Sequence, residues 1–427
     1  MNLPLSNHAY GEHELVLPPD DPTSHDDADI PLETRLRMYR MLQEMRQFEK
    51  RAYDMFMQQL VKGTTHLSLG MEAVAAGFGA AMQKDDYTFA TYRGHAHTLA
   101  RGVPMETRLA MYEMLQELRL FEKRAYDLFM QQLVKGTSHL SLGMEAVATG
   151  FGTAMRSEDY TFATYRGHAH TLARGVPMTG VLAELLGRAN GLLGGKGGSM
   201  HLTSVEHGVM GSYAIIGAHL TIANGAAWSA QYRGSGQVAV CFFGDGTTNI
   251  GAFHEALNYA AVFKLPVVFV CENNLYMEYT AISDITAVKH PAADRASAYG
   301  LEPIVVDGND ADACYLAARD ALEHARSGAG PVLVEALTYR HGGHSRADPG
   351  KYKPPGELEA WLAYDPHTVY RGRLERLGID PVQLSEIDAR VAAAVEEATE
   401  AAKSGPLPDP SAAYTDVWAD GGNSWRN

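Results

Sequence analysis

Four short apolar runs punctuate the second half of the chain: Val238 to Phe243, Pro266 to Cys271, Pro303 to Val306 and Pro331 to Leu337. Helical patterns separate them, from about Ile250 to Phe263 and around 311–326. Short apolar strands alternating with helices predict an α/β fold, a doubly wound, mostly parallel sheet with helices on both faces. Right-handed crossovers put every strand's C-terminal end on one edge, where ligands bind. The runs end in polar clusters: Gly244-Asp245-Gly246, Glu272-Asn273-Asn274 and the stretch from Tyr339 to Ser345. These clusters should therefore converge. Upstream, Leu115, Leu118, Phe121, Ala125, Leu128, Phe129 and Leu133 recur at helical spacing, with Gly136 as the expected stop. Further helices are expected over Gly143 to Met155 and Thr179 to Arg188, a strand over Tyr160 to Ala163, and a C-terminal helix over 382–403.

This upstream pattern occurs twice. Residues 31–103 recur as 104–176, with 61 of 73 positions identical. The differences are scattered, including Met45 against Leu118 and Thr65 against Ser138. Two long units do not make a solenoid; this is a tandem duplication of one segment. Ahead of it, residues 1–34 hold eight acidic side chains and no Lys or Arg, interrupted by Pro18, Pro19 and Pro22. That composition predicts a disordered acidic tail. The expected organisation is a tail over 1–30, an extra copy over 31–103, a main domain over 104–380, and a C-terminal helical segment and tail over 381–427.

Composition narrows the function. The chain has 427 residues and a net charge of −15, and no basic face marks a nucleic-acid partner. No apolar stretch reaches the length of about 18 residues that a membrane span needs, and no secretory leader is legible, so a cytoplasmic protein is expected. Cys241, Cys271 and Cys314 form no C-x-x-C pair and read as buried, reduced thiols.

Asp245 and Asn274 end two successive strands, with room between them for one crossover helix. One carboxylate, one amide oxygen and a nearby main-chain carbonyl make a weak site for a hard cation that takes its remaining ligands from phosphate and water. Gly246 and Thr247 would offer backbone N–H groups to a diphosphate. Other phosphate motifs fit poorly. In Gly194-Gly195-Lys196-Gly197 no Ser or Thr follows the lysine, and Gly234-Ser235-Gly236 precedes a strand instead of following one.

With Phe121-Glu122-Lys123-Arg124, Thr164-Tyr165-Arg166-Gly167-His168, Gly195-Lys196-Gly197-Gly198-Ser199-Met200-His201 and the loop from Tyr339 to Pro349, these motifs resemble those of a known family. It is the alpha subunits of the thiamine-diphosphate-dependent first component of 2-oxo acid dehydrogenase complexes, to which acetoin dehydrogenase alpha subunits also belong. The resemblance runs continuously over about 104–375, and the first copy resembles the same segment again. It implies the thiamine-diphosphate-binding fold and an oxidative decarboxylation, foremost of pyruvate, with acyl transfer to a lipoyl-bearing acyltransferase. It implies magnesium on Asp245, the Asn274 side chain and the main-chain oxygen of Tyr276. The diphosphate would meet Gly246, Thr247, Tyr165 and Arg166, with Arg340 nearby. Backbone groups near Ala214 and Ile216 would meet the aminopyrimidine. His344 would lie beside the thiazolium, and His139 would face the substrate. His168 and His170 read as organisers of their loop. Such enzymes are built from two halves, so a separate beta subunit and an α2β2 assembly are expected.

This chain departs from the family pattern in three ways. Met277 and Glu278 follow Tyr276, where relatives often carry glycine. The late loop reads Ser345-Arg346-Ala347-Asp348, without the second serine of regulated relatives. The duplication also supplies His66, Tyr92 and Arg93 as a second set beside His139, Tyr165 and Arg166. The second copy runs without interruption into Gly175-Val176-Pro177 and is the expected functional one. A non-catalytic subunit disabled by the duplication is the competing expectation.

Overall fold

The computed structural model describes residues 103–416 and scattered helical positions between 35 and 50. The chain divides into two compact units, Met1–Arg101 and Gly102–Asn427, and the account below concerns the second. The acidic tail, most of the first copy, and His66, Tyr92 and Arg93 lie outside the described residues.

The second unit opens with α1 (Met105–Met130) and α2 (Glu145–Ala154), followed by β1 (Tyr160–Thr164), α3 (His168–Leu172) and α4 (Met178–Leu185). Then come β2 (Val209–Tyr213), α5 (Ala218–Arg233), β3 (Ala239–Gly244), α6 (Gly251–Phe263) and β4 (Val267–Asn273). The unit ends with β5 (Ile304–Asp307), α7 (Ala311–Arg326), β6 (Val332–Leu337), α8 (Glu357–Ala363), α9 (Pro366–Arg376) and α10 (Pro381–Ser404). The six strands form one sheet in the order β2-β1-β3-β4-β6-β5, and every pairing is parallel.

Side chains alternate across each strand, so one apolar run feeds two cores. Ala239, Cys241 and Phe243 of β3 pack with Leu220, Ala227, Phe253 and Leu257 of α5 and α6. Val240 and Phe242 pack on the other face with Val147, Phe151, Cys314 and Leu322 of α2 and α7. A sheet covered on both faces is what near-continuous apolar strands require. α10 closes the unit by laying Val391 and Val395 against Met111 and Leu115 of α1. The three cysteines are buried and free, and burial raises their thiol pKa values, so they are inert core residues. No helix among the described residues is long and apolar enough to cross a membrane.

Two local outcomes differ from the periodicity. α1 stops at Met130, short of Gly136. Gln132 takes the left-handed conformation (φ 61°), and the Gln132 and Leu133 amides donate back to the Phe129 and Leu128 carbonyls, which closes the helix without glycine. β2 and α5 were not expected. Val209–Tyr213 contains Gly and Ser, and α5 buries His219 and Asn224 while exposing Ile222 and Trp228, so neither carries a strong periodic signal.

Candidate active site

The strand order reverses at β1, which has β2 on one side and β3 on the other. Such a switch point opens a crevice beyond the strand ends. The segments following β1, β3, β4 and β6 carry Tyr165-Arg166, Asp245, Asn274 and Arg340 respectively.

Asp245 is buried at the end of β3. Its Oδ1 accepts the Gly246 amide at 2.7 Å and its Oδ2 accepts the Asn274 amide at 3.1 Å. Those bonds and Arg340 do not offset the loss of water, and burial pushes the carboxyl pKa up to about 7. Asn274 is buried beside it, and its side-chain Oδ1 has no hydrogen-bond partner. A buried carboxylate short of positive charge next to an unpartnered amide oxygen is a donor set fitted to a hard cation. Among the described residues no group of three or more His, Cys, Asp or Glu side chains could hold a metal. The Tyr276 carbonyl lies 3.5 Å from Arg340 Nη1, and the Met277 carbonyl accepts Arg340 Nη2 at 3.2 Å. Tyr276 pairs across to Ala281, and the turn between them closes with the Met277 amide on the Thr280 carbonyl at 3.0 Å, without glycine. A Cβ at Gly246 would lie 2.8 Å from the Met277 sulfur, so Gly246 gives the backbone a close approach there. Thr247 is buried in the same turn.

Arg166 is buried and makes no ion pair among the described residues. Its Nη1 donates to the Leu140 carbonyl and its Nη2 to the His344 carbonyl at 2.9 Å. Burial, and then Arg340, lowers its pKa to about 10. Two neighbouring guanidinium groups held by neutral oxygens form an anion-seeking pair.

His139, Tyr165 and His344 form a ring cluster. The His139 centroid lies 4.3 Å from Tyr165 and 5.1 Å from His344, and Tyr165 lies 5.5 Å from His344. Burial, then the Arg166 charge, lowers His139 to about 3 and His344 to about 4, so both rings are neutral near pH 7. The buried Nδ1 of each ring lacks a partner. Asp348 fixes the His344 loop, accepting the His344 amide at 2.6 Å and the Tyr352 hydroxyl at 2.9 Å.

Ala214 and Ile216 lie after β2, in the segment leading into α5. No contact joins them to Asp245, Asn274 or the histidine cluster among the described interactions. His168 and His170 are buried organisers. His168 meets Glu122 at 3.0 Å and Ser199 at 2.8 Å, while His170 stacks on Phe242 and meets Glu272 at 3.2 Å.

Several residues that build the site carried no assigned role in the sequence. Glu122 accepts the Ser141 amide at 3.0 Å and so holds the segment that bears His139. Glu184 accepts the amides of Leu193, Gly195, Gly197 and Gly198. Within Gly194–Gly197, Glu184 takes the Gly195 and Gly197 amides, the Gly191 and Leu193 carbonyls take those of Gly194 and Lys196, and the Lys196 side chain pairs with Asp416, which leaves no phosphate cradle there. A carboxylic acid in a helix reads as surface until its partners are known, so only the family motif around Glu122 offered a signal.

The sequence profile described as dehydrogenase E1 component matches residues 112–411, and separately residues 40–117. The chain belongs to the dehydrogenase E1 component family. Members of that family are thiamine-diphosphate-dependent oxidoreductases. The chain is 42% identical over 314 residues to the alpha subunit of an acetoin:2,6-dichlorophenolindophenol oxidoreductase from Bacillus subtilis, covering 73% of this chain and 94% of that one. It is 39% identical over 314 residues to a pyruvate dehydrogenase E1 component subunit alpha from Rhizobium meliloti, covering 73% and 90%. A Porphyra purpurea protein of the same name is 40% identical over 323 residues, covering 73% and 93%. The separate match over 40–117 falls largely on the first copy, so that segment carries the family's sequence a second time.

Proposed function

We propose that this chain is the alpha subunit of a 2-oxo acid dehydrogenase that acts on pyruvate, working in an α2β2 assembly with a beta subunit. It would pass the acyl group to a lipoyl-bearing acyltransferase. Residues 104–380 would form the cofactor-binding domain, and 381–427 the C-terminal segment. The observation that carries the reading is the buried Asp245 carboxylate beside the unpartnered Asn274 Oδ1. With the Tyr276 carbonyl, these atoms would hold magnesium. Gly246, Thr247, Tyr165, Arg166 and Arg340 would hold the diphosphate, and backbone groups at Ala214 and Ile216 would meet the aminopyrimidine.

When bound, thiamine diphosphate supplies the carbanion that adds to a substrate carbonyl and the electron sink that lets carbon dioxide leave. The chain's own residues supply placement and proton handling. The neutral rings of His139 and His344 lie together beside Tyr165, and an imidazole nitrogen there would donate or accept a proton at the substrate oxygen. Arg166 is itself buried, so its positive charge would act on a diphosphate with less screening than at the surface.

Acetoin is the second reading, favoured by the 42% identity to the Bacillus subtilis subunit. These substrates differ by small apolar groups, worth about 1–3 kcal/mol in a pocket. The test is artificial-acceptor reduction by the chain co-expressed with its beta subunit, offering pyruvate, a branched 2-oxo acid and acetoin in parallel. The expected result is reduction that depends on thiamine diphosphate and is fastest with pyruvate. Activity with acetoin alone selects the second reading, and no activity with any substrate favours a non-catalytic subunit.

A further inference from the structure

Glu335 sits in the middle of β6 with no exposed surface. No Lys or Arg pairs with it among the described residues. Its carboxylate is held by neutral donors instead. Oε1 accepts Asn273 Nδ2 at 2.8 Å, and Oε2 accepts the Ala292 and Ala293 amides, each at 2.9 Å. His290 Nδ1 lies 3.5 Å from Oε1. An acid so placed costs desolvation that an apolar residue would not. What it holds suggests why it is there.

Asn273 bridges two groups. Its Nδ2 is given to Glu335, while its Oδ1 accepts the Leu275 amide at 3.1 Å. Leu275 is left-handed, with φ 74°, an uncommon conformation for a residue other than glycine. Leu275 lies between Asn274 and Tyr276, so its conformation sets how the Asn274 side chain and the Tyr276 carbonyl are presented. Glu335 also reaches the other half of the site. The Ala292-Ala293 amides it holds start the short helix Ala293–Tyr299, and Arg295 in that helix donates Nη2 to Asn249 Oδ1 at 2.8 Å. Asn249 ends the turn Asp245–Asn249 that begins with the buried carboxylate.

We infer that Glu335 is a positioning residue for the cation site. It acts through Asn273 on the Asn274–Tyr276 loop and through Arg295 on the Asp245 turn. The inference rests on the reading of Asp245, Asn274 and Tyr276 as magnesium ligands.

The test uses the co-expressed αβ complex and reads the magnesium concentration at half-saturation of thiamine diphosphate binding, followed by calorimetry. Glu335→Gln turns an amide NH2 toward the Asn273 NH2, donor against donor, and should raise the half-saturating magnesium concentration by about tenfold or more. The reciprocal pair Glu335→Gln with Asn273→Asp restores every bond and keeps the wild-type charge. The new amide donates to the new carboxylate, which still accepts the Leu275 amide, and the amide oxygen accepts the 292 and 293 amides. This pair should return the value to within about threefold of wild type. A merely structural role would move the melting temperature without this reciprocal recovery of magnesium affinity. Should Glu335→Gln fail to assemble, Asn273→Ala carries the comparison, with the same tenfold weakening expected. Unchanged magnesium dependence in the single variants, or no recovery in a folded reciprocal pair, overturns the inference. Loss of magnesium dependence in the wild-type complex itself instead overturns the ligand reading beneath it.

Discussion

Arg166 donates to the main-chain carbonyl of His344 at 2.9 Å while its other amino group reaches the carbonyl of Leu140, the residue after His139. One guanidinium therefore staples together the two segments that carry the histidines. The His341 amide on the Leu142 carbonyl (3.0 Å) and the Arg346 amide on the Ser138 carbonyl (3.1 Å) fasten the same seam. A lysine in this place keeps the charge but lacks the planar fork that spans both oxygens. Arg166→Lys should lower kcat by about 10–100-fold, as expected for losing a buried charged hydrogen bond of about 1.5–3 kcal/mol. Steady-state kinetics of the αβ complex checks this, and an unchanged kcat would contradict the staple.

The histidines predict a pH dependence of stability. His139 is lowered to about 3 in the fold from an ordinary 6.5, by burial first and the Arg166 charge second. The unfolded chain thus binds a proton that the folded chain refuses. Stability is complete above pH 6.5 and falls as the pH drops from there toward the folded value. Asp245, raised to about 7, contributes with the opposite sign over the same window, so the His139 share is read as a difference: between about pH 6.5 and 4.5 the thermal midpoint of the wild-type complex should fall relative to that of His139→Gln. An equal slope in the variant would mean that other groups govern it.

Glu184 predicts a local loss of order. Its carboxylate is fully buried and gathers four backbone amides from the glycine-rich loop. That loop delivers Ser199, whose hydroxyl donates to Ser138 beside His139. Glu184→Ala leaves those donors unpaired and should cost about 2–4 kcal/mol. Limited proteolysis of the complex should find new cleavage between 191 and 199, and an unchanged digestion pattern would refute the claim.

The duplication offers an unusually clean comparison. A chain lacking 31–103 and a chain lacking 104–176 have the same length and differ only at the 12 positions where the copies diverge. Several of these matter in the described fold. Glu113 pairs with Arg390, where the first copy has Arg40. Leu120 packs on the core, where the first copy has Gln47. Ser138 is fully buried against Ser199, where the first copy has the larger Thr65. The chain keeping 104–176 should be more stable by about 2–4 kcal/mol and the more active of the two. Denaturation and acceptor assays on both complexes decide it, and equal behaviour would mean that the two copies serve the slot alike.

Much of the architecture could be read from periodicity. β3, most of β4 and β6 on either side of Glu335 are apolar because both faces of the sheet are covered, so they stand out as near-continuous runs, and α7 spans the expected 311–326. β2 escaped because an edge strand containing Gly211 and Ser212 lacks that signature. The placement of Asp245 and Asn274 was legible because they follow two strand ends at crossover spacing. Glu184 and Glu335 were not, since their importance lies in amides that the fold brings from distant segments. Arg166 was anticipated as a phosphate contact, whereas its hold on the histidine segments depends on two carbonyls that only the tertiary structure brings within reach.

The central claim, that Asp245 and Asn274 build the cation half of a thiamine diphosphate site, is tested most directly by equilibrium binding of thiamine diphosphate to the αβ complex with and without magnesium. Wild type should bind tightly only with magnesium, and Asp245→Ala should lose that dependence together with at least about tenfold in affinity. Binding of equal strength in the variant, or indifference of the wild type to magnesium, would contradict the account.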